Sequence, residues 1–99
     1  MYLVPGPATD IKANISKTSL AVSWTAPTGQ PITGYDVQLR DVANTHTSVE
    51  ETRITFDNLS PGTDYTVVVV SMNANTTGES AVETFTTSKS IYFLALHYS

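Results

Sequence analysis

The chain has 99 residues, a length that suits one domain with one hydrophobic core. Its formal net charge of −4, with five scattered Lys and Arg residues, argues against a nucleic-acid partner, because phosphate binding needs a basic patch. The absence of cysteine excludes disulfides and thiolate metal sites, and no apolar run reaches the roughly 18 to 20 residues that insertion across a membrane requires.

The first quarter of the chain predicts a stiff linker followed by two strands. Residues 1–7 read as a linker, since Pro5 and Pro7 lack the N–H group that a central strand needs. Apolar and polar residues then alternate over 11–15 and again over 20–24. Alternation with period two is typical of a strand with one buried face.

The middle of the chain predicts three further strands separated by loops. A Pro- and Gly-containing loop at 26–31 precedes an alternating segment at 32–40. We predict a short edge strand at 45–49 and another strand at 53–57, followed by a turn at 58–64.

The last two strands lie on either side of a polar loop. Residues 65–72 give the strongest strand signal in the chain, and 73–79 form the loop. In the strand at 80–87 the apolar residues do not alternate cleanly, which predicts a bulge, with Phe85 in the core. Seven strands at this spacing predict an all-β fold of two packed antiparallel sheets.

Several motifs, in this order and spacing, resemble the fibronectin type III family over about residues 5–87. The resemblance implies a seven-stranded antiparallel immunoglobulin-like sandwich over residues 8–87. The motifs are Leu20-Ala21-Val22-Ser23-Trp24 with Ala26-Pro27, Ile32-Thr33-Gly34-Tyr35-Asp36-Val37, Leu59-Ser60-Pro61-Gly62-Thr63-Asp64-Tyr65, and Gly78-Glu79-Ser80 running on to Thr87.

Four of these motif residues are interpreted as structural. Trp24 ends an alternating strand on its apolar side, where an indole can fill the space between two sheets. Tyr65 follows a Pro-Gly turn and matches a tyrosine corner, in which the ring is buried and the hydroxyl bonds upstream backbone. Leu59 is expected to close the end of the core, and Tyr35 to pack within it.

The sequence offers no convergent polar groups for catalysis. His46 and His97 have no partner at ligand spacing and are predicted to be solvated surface. Glu50 and Glu51 are neighbours and would point to opposite faces of a strand. We therefore expect a non-enzyme with no cofactor and no metal.

Three Asn-x-Ser/Thr triplets are candidate glycosylation sites and hint at secretion. They begin at Asn14, Asn58 and Asn75, each at a turn or loop edge, and of these we favour Asn75.

Candidate contact surfaces fall in two places. If Tyr65, Val67 and Val69 face the core, then Val68 and Val70 face outward and offer an apolar patch, although valine is also simply a good strand former. The family resemblance implies that loops at one end of the sandwich hold ligands. In this chain those loops include Thr28, Gly29, Asn75 and Thr76. The Arg-Gly-Asp triplet of some members is absent from the loop at 73–79.

Residues 88–99 depart from the family pattern because they are too apolar for a polar linker. Around Tyr92 and Phe93 they combine β propensity with low charge and no proline. Three readings stay open: a non-native tail, an added strand or self-association element, and a truncated continuation.

The sequence thus predicts a non-catalytic extracellular adhesion or receptor module, which provides rigid spacing and a surface for a protein partner of unknown identity. Two alternatives remain, a spacer domain of a secreted carbohydrate-active enzyme and an engineered binding scaffold of the same fold.

Overall fold

A computed structural model describes residues 5–29, 31–73 and 76–89, and these form a two-sheet β-sandwich. One sheet has the strand order β1-β2-β5 and the other β4-β3-β6-β7, with every pairing antiparallel. The all-β prediction is confirmed. The strands are β1 Thr9–Ile15, β2 Leu20–Thr25, β3 Gly34–Leu39, β4 Thr47–Val49, β5 Arg53–Phe56, β6 Asp64–Met72 and β7 Thr77–Thr86.

Two strands begin at different residues than the sequence pattern predicts. β4 starts at Thr47 rather than residue 45. The Leu39 N–H donates to the Thr45 hydroxyl at 2.9 Å, whereas in a strand pair it would donate to a backbone carbonyl. β7 starts at Thr77, inside the predicted loop. The Asn73 N–H donates to the Thr76 carbonyl at 3.0 Å, and this bond brings Thr76 beside the end of β6, so that pairing resumes at Thr77.

The last strand has a bulge at its beginning, before the segment 80–87 in which the sequence predicts one. Val70 pairs with Ser80 and Met72 pairs with Thr77, so β7 advances three residues while β6 advances two. From Ser80 to Thr86 the register with β6 is regular, so the bulge predicted within that segment is wrong. The alternation is unclear there because Val82 is an outward-facing apolar residue on an edge strand, beside the inward-facing Ala81. Phe85 packs against the core while remaining partly exposed.

The core lies between the inner faces of the two sheets. Trp24 and Tyr35 meet there edge to face, with ring centroids 5.3 Å apart at an interplanar angle of 71°. Ile15, expected on the buried face of β1, is instead 43% exposed at the end of that strand. The buried core residues are Ala8, Leu20, Val22, Trp24, Tyr35, Val37, Leu39, Phe56, Leu59, Tyr65, Val67 and Val69.

Two buried polar side-chain atoms in this core have no hydrogen-bond partner within standard distance and angle limits among the described residues. They are the indole nitrogen Nε1 of Trp24 and the hydroxyl Oγ of Ser71. Burial raises the pKa of the Tyr35 hydroxyl, and the neighbouring Trp24 indole offsets part of that rise. Tyr35 is therefore a neutral phenol at neutral pH.

The first described residue, Pro5, is packed against the sandwich. Pro5 is fully buried, and its carbonyl accepts a bond from the Glu79 N–H at 3.3 Å. A Cβ at Gly78 would lie 2.4 Å from the Pro5 carbonyl oxygen, so this close approach needs glycine. The packed domain thus includes Pro5, part of the predicted linker.

The other end of the domain is tied down in the same way. The Ser88 N–H donates to the Ser16 carbonyl at 3.0 Å, and the Gly62 N–H donates to the Ser88 carbonyl at 3.1 Å. The packed chain therefore continues one residue past the predicted boundary at 87. Most of the predicted tail, with Tyr92 and Phe93, lies outside the described residues. The described part of the chain contains no helix that could cross a membrane.

Candidate contact surfaces

The sequence motifs at Leu59 and Tyr65 close the end of the core that lies beside the turn between β1 and β2. The Tyr65 hydroxyl accepts a hydrogen bond from the Ser60 N–H at 2.8 Å, which is the predicted tyrosine corner. Leu59 is buried, and its N–H donates to the Thr18 carbonyl at 2.9 Å. Trp24, Tyr35, Leu59 and Tyr65 are all buried. These side chains hold the fold and are not available to a partner.

Thr87 strengthens the same corner, and sequence reasoning missed it. This buried threonine donates from its hydroxyl to the Ser60 carbonyl at 2.6 Å and accepts from the Thr63 N–H at 2.9 Å. Its backbone N–H also donates to the Thr63 carbonyl at 3.0 Å. The partners lie 24 and 27 residues away along the chain, so no local pattern marks this residue.

Three loops meet at the opposite end of the sandwich, which we call the loop end; its described residues are 26–29 and 31–33, 50–52, and 73 and 76. The Thr33 N–H donates to the Met72 carbonyl at 2.8 Å, which places the first loop beside the third. The Trp24 N–H donates to the Thr52 carbonyl at 3.0 Å and brings in the second loop.

The predicted loop contacts differ in how far they reach solvent. Thr28 and Gly29 are exposed, and Gly29 has a φ of 91°, a left-handed conformation that favours glycine. Thr76 is half-buried, and its N–H donates to the Asn73 Oδ1 atom at 2.9 Å. Asn75 lies outside the described residues. At the loop end, Thr28 and Gly29 are therefore the better candidates for contact.

The predicted patch of exposed valines is wrong at Val68. Val68 does face away from the core, but it lies in a row between Gln38 on β3 and Val82 on β7, and only 8% of it is exposed. The side chains of Gln38 and Val82 flank Val68 on both sides and cover it. Val70 is half-buried, and the exposed valine of this face is Val82, at 44%, because β7 is an edge strand.

His46 has a carboxylate partner that the sequence pattern did not reveal. Its Nε2 atom lies 2.7 Å from Oδ1 of Asp36, on the outer face of the four-stranded sheet. Antiparallel pairing of β3 with β4 joins residues ten apart in sequence. His46 is exposed, as predicted. The described residues contain no group of three or more His, Cys, Asp or Glu side chains that could hold a metal ion.

Two of the three glycosylation triplets fall in the described part of the chain. Asn14 is exposed near the end of β1, and Asn58 is exposed with a φ of 60° in the turn before the tyrosine corner. Asn75 again lies outside the described residues.

Comparison with known proteins agrees with this architecture. The receptor-type tyrosine-protein phosphatase eta of Gallus gallus is 32% identical over 105 residues, which include 99% of this chain but only 7% of that protein. Domains d3-d4 of the rat CD45 extracellular region superpose with a TM-score of 0.74 at 22% identity, covering 86% of this chain and 51% of that one. Chitinase ChiA74 of Bacillus thuringiensis gives a TM-score of 0.71 at 25% identity, covering 83% of this chain and 13% of that one.

The family profile of the fibronectin type III domain matches residues 6–87, which begin just after the buried Pro5 and end at Thr87, the residue that closes the tyrosine corner. The same range contains the Trp24 and Tyr65 motifs and all seven described strands. The chain therefore belongs to the fibronectin type III family.

Proposed function

We propose that this chain is a non-catalytic extracellular spacer and contact module of a larger adhesion or receptor protein. The observation that carries the proposal is the position of the two ends of the domain. Pro5 is bound to Glu79 near the start of β7, and Ser88 is bound to Gly62 just beyond its end. The backbone therefore enters the sandwich at one end and leaves it at the other, as a spacer in a row of domains requires.

The comparison with the chicken phosphatase supports this role. The chain spans about 7% of that relative's length, so it matches one small part of a receptor-type protein. An extracellular location for the present chain is part of the proposal, and the likeness to a receptor-type protein supports it. A fold whose motif residues are buried in its core leaves its loops and outer faces for recognition.

The loop end is the proposed contact surface. Thr28 and Gly29 are exposed there on a loop fixed to the scaffold at Thr33. Rigid backbone beneath an exposed loop lowers the ordering cost of binding. Val70 and Val82 offer a second, smaller apolar surface on the side of the sandwich. Self-association through residues 88–99 remains a prediction.

The contact proposal predicts that Thr28→Arg weakens binding to a protein partner at least tenfold, about 1.4 kcal/mol, because a long charged side chain would obstruct the loop end. Multivalent display of the chain against a panel of purified extracellular proteins would identify a binder, and titration would give the Kd of each variant. Thr18→Arg is the matched control, since Thr18 is also exposed, at the other end of the domain. A panel without any binder, or equal weakening by both variants, would count against the loop end.

A second candidate is a spacer beside a secreted carbohydrate-active enzyme. The likeness to a bacterial chitinase, of which the chain covers 13%, favours it. Both candidates use the same opposed ends of the domain. The neighbouring domains in the parent chain distinguish them: a hydrolase domain supports the enzyme spacer, and a membrane span with further sandwich domains supports the receptor.

A further inference from the structure

The outer face of the three-stranded sheet has a shallow groove beside the first glycosylation triplet. Across this face Asn14 on β1 pairs with Ala21 on β2, which pairs with Thr55 on β5. The small Ala21 side chain lies between two longer ones, so the centre of the row is low. The groove has a volume of about 350 Å³ and is lined by these three residues together with Val22, Ser23, Arg53 and Ile54.

The next row of the sheet extends the groove along β2. Ser23 pairs with Lys12 on one side and with Arg53 on the other. The floor is therefore formed by a methyl group and a hydroxyl, and the rim carries amide, hydroxyl, ammonium and guanidinium groups. Both cations are paired, Lys12 with Asp10 at 3.3 Å and Arg53 with Glu51 at 3.6 Å. Such a surface suits a neutral polar ligand with one small apolar group.

Asn14 stands on the rim of this groove with its amide free. It is exposed, and its side chain makes no hydrogen bond to any other described residue. The triplet Asn14-Ile15-Ser16 follows the acceptor pattern for N-glycosylation.

We propose that Asn14 carries an N-linked glycan and that the groove over Ala21 and Ser23 seats its first N-acetylglucosamine. The donor is a lipid-diphosphate oligosaccharide of the secretory pathway. A bond forms between Nδ2 of Asn14 and C1 of the sugar as the bond from C1 to the diphosphate oxygen breaks. The lipid diphosphate leaves with the electron pair, and Nδ2 gives up one proton to the transferase. The proposal rests on the extracellular location in the proposed function.

The covalent link explains how so shallow a groove can hold a sugar. A tethered ligand has a high effective concentration at its site, so weak contacts are enough to order it. The sugar's acetyl methyl or ring face can pack on Ala21. Its hydroxyls can bond to the hydroxyls of Ser23 and Thr55 and to the guanidinium of Arg53.

The other described triplet has no such site. Asn58 lies in the turn before the tyrosine corner with a φ of 60°, and it does not line the groove. A glycan there would extend into solvent. This contrast makes Ser60→Ala a control for Asn14→Gln, because it removes the acceptor pattern while keeping Asn58 in its left-handed conformation.

The test is to secrete the full 99-residue chain from mammalian cells behind an added signal peptide and to trim each glycan to its first sugar. We expect glycopeptide mass spectrometry to find Asn14 modified, and the trimmed protein to melt about 2–5 °C above Asn14→Gln. The nuclear Overhauser spectrum should join the acetyl methyl protons to the Ala21 methyl. Loss of the sugar at Asn58 should leave both results unchanged.

A groove-filling variant separates seating from mere attachment. Ala21→Arg should fold and be glycosylated, yet its trimmed form should gain no melting temperature over its own Asn14→Gln variant. An unmodified Asn14, or a modified one without the Ala21 contact or the gain in melting temperature, would overturn the proposal. Because the signal peptide is supplied, that failure would leave the spacer and contact function untouched.

Discussion

Trp24→Ala should lower the free energy of unfolding by about 3–5 kcal/mol, the largest single loss expected in this chain. Trp24 is 5% exposed and fills the space between the sheets against the edge of Tyr35. Truncation removes its transfer free energy and leaves a cavity that the surrounding strands cannot fill. For a domain of this size the melting temperature should fall by roughly 15–30 °C.

Urea unfolding followed by circular dichroism measures this loss. Val82→Ala is the control, because Val82 is 44% exposed and should change stability by less than about 1 kcal/mol. Equal effects of the two substitutions would show that Trp24 is not the centre of the core.

Thr87→Val should destabilise the domain by about 2 kcal/mol although it preserves the size and shape of the side chain. The substitution leaves the Thr63 N–H and the Ser60 carbonyl without the Thr87 hydroxyl. A polar group that loses its partner in a partly buried site costs about 1–3 kcal/mol, and both hydrogen bonds here are partly buried.

The same unfolding experiment tests this prediction. Thr25→Val is the control, because the Thr25 side chain is exposed on β2. We expect it to change stability by no more than about 0.5 kcal/mol. If Thr87→Val lowered the free energy of unfolding no more than Thr25→Val does, the Thr87 hydroxyl would not be stabilising the tyrosine corner.

The features that sequence predicts correctly depend on local patterns. Alternation places Trp24 on the inner face of β2, and the Pro-Gly turn before Tyr65 predicts the corner that the Ser60 bond then shows. Both are short-range signals, since a strand's two faces and a turn are each encoded within a few residues.

The features that sequence misses depend on which strands pair. Val68 is buried because β6 lies between β3 and β7, and no property of residue 68 itself reveals those neighbours. The bond between His46 and Asp36 likewise exists only through the pairing of β3 with β4. The groove at Ala21 requires the register of three strands at once.

The opposed ends of the domain also could not be predicted locally. Two prolines predict a linker, but the burial of Pro5 depends on Gly78 leaving room for its carbonyl from a distant strand. At the other end, backbone hydrogen bonds join Ser88 to Gly62 and to Ser16, which are likewise distant in the sequence. These contacts convert a linker into a fixed attachment on each side.

The central claim is that the domain is a rigid spacer whose chain enters and leaves at opposite ends, and small-angle X-ray scattering of tandem copies tests it most directly. Copies of residues 1–89 joined head to tail would be compared as one, two and three domains. The nine residues of β6 span about 30 Å, so each added copy should lengthen the particle by at least about that amount. As a control, a flexible ten-residue Gly/Ser linker between copies should broaden the distribution of distances between domains. Growth of about 30 Å per copy would support the spacer, and copies that fold back with little growth would contradict it.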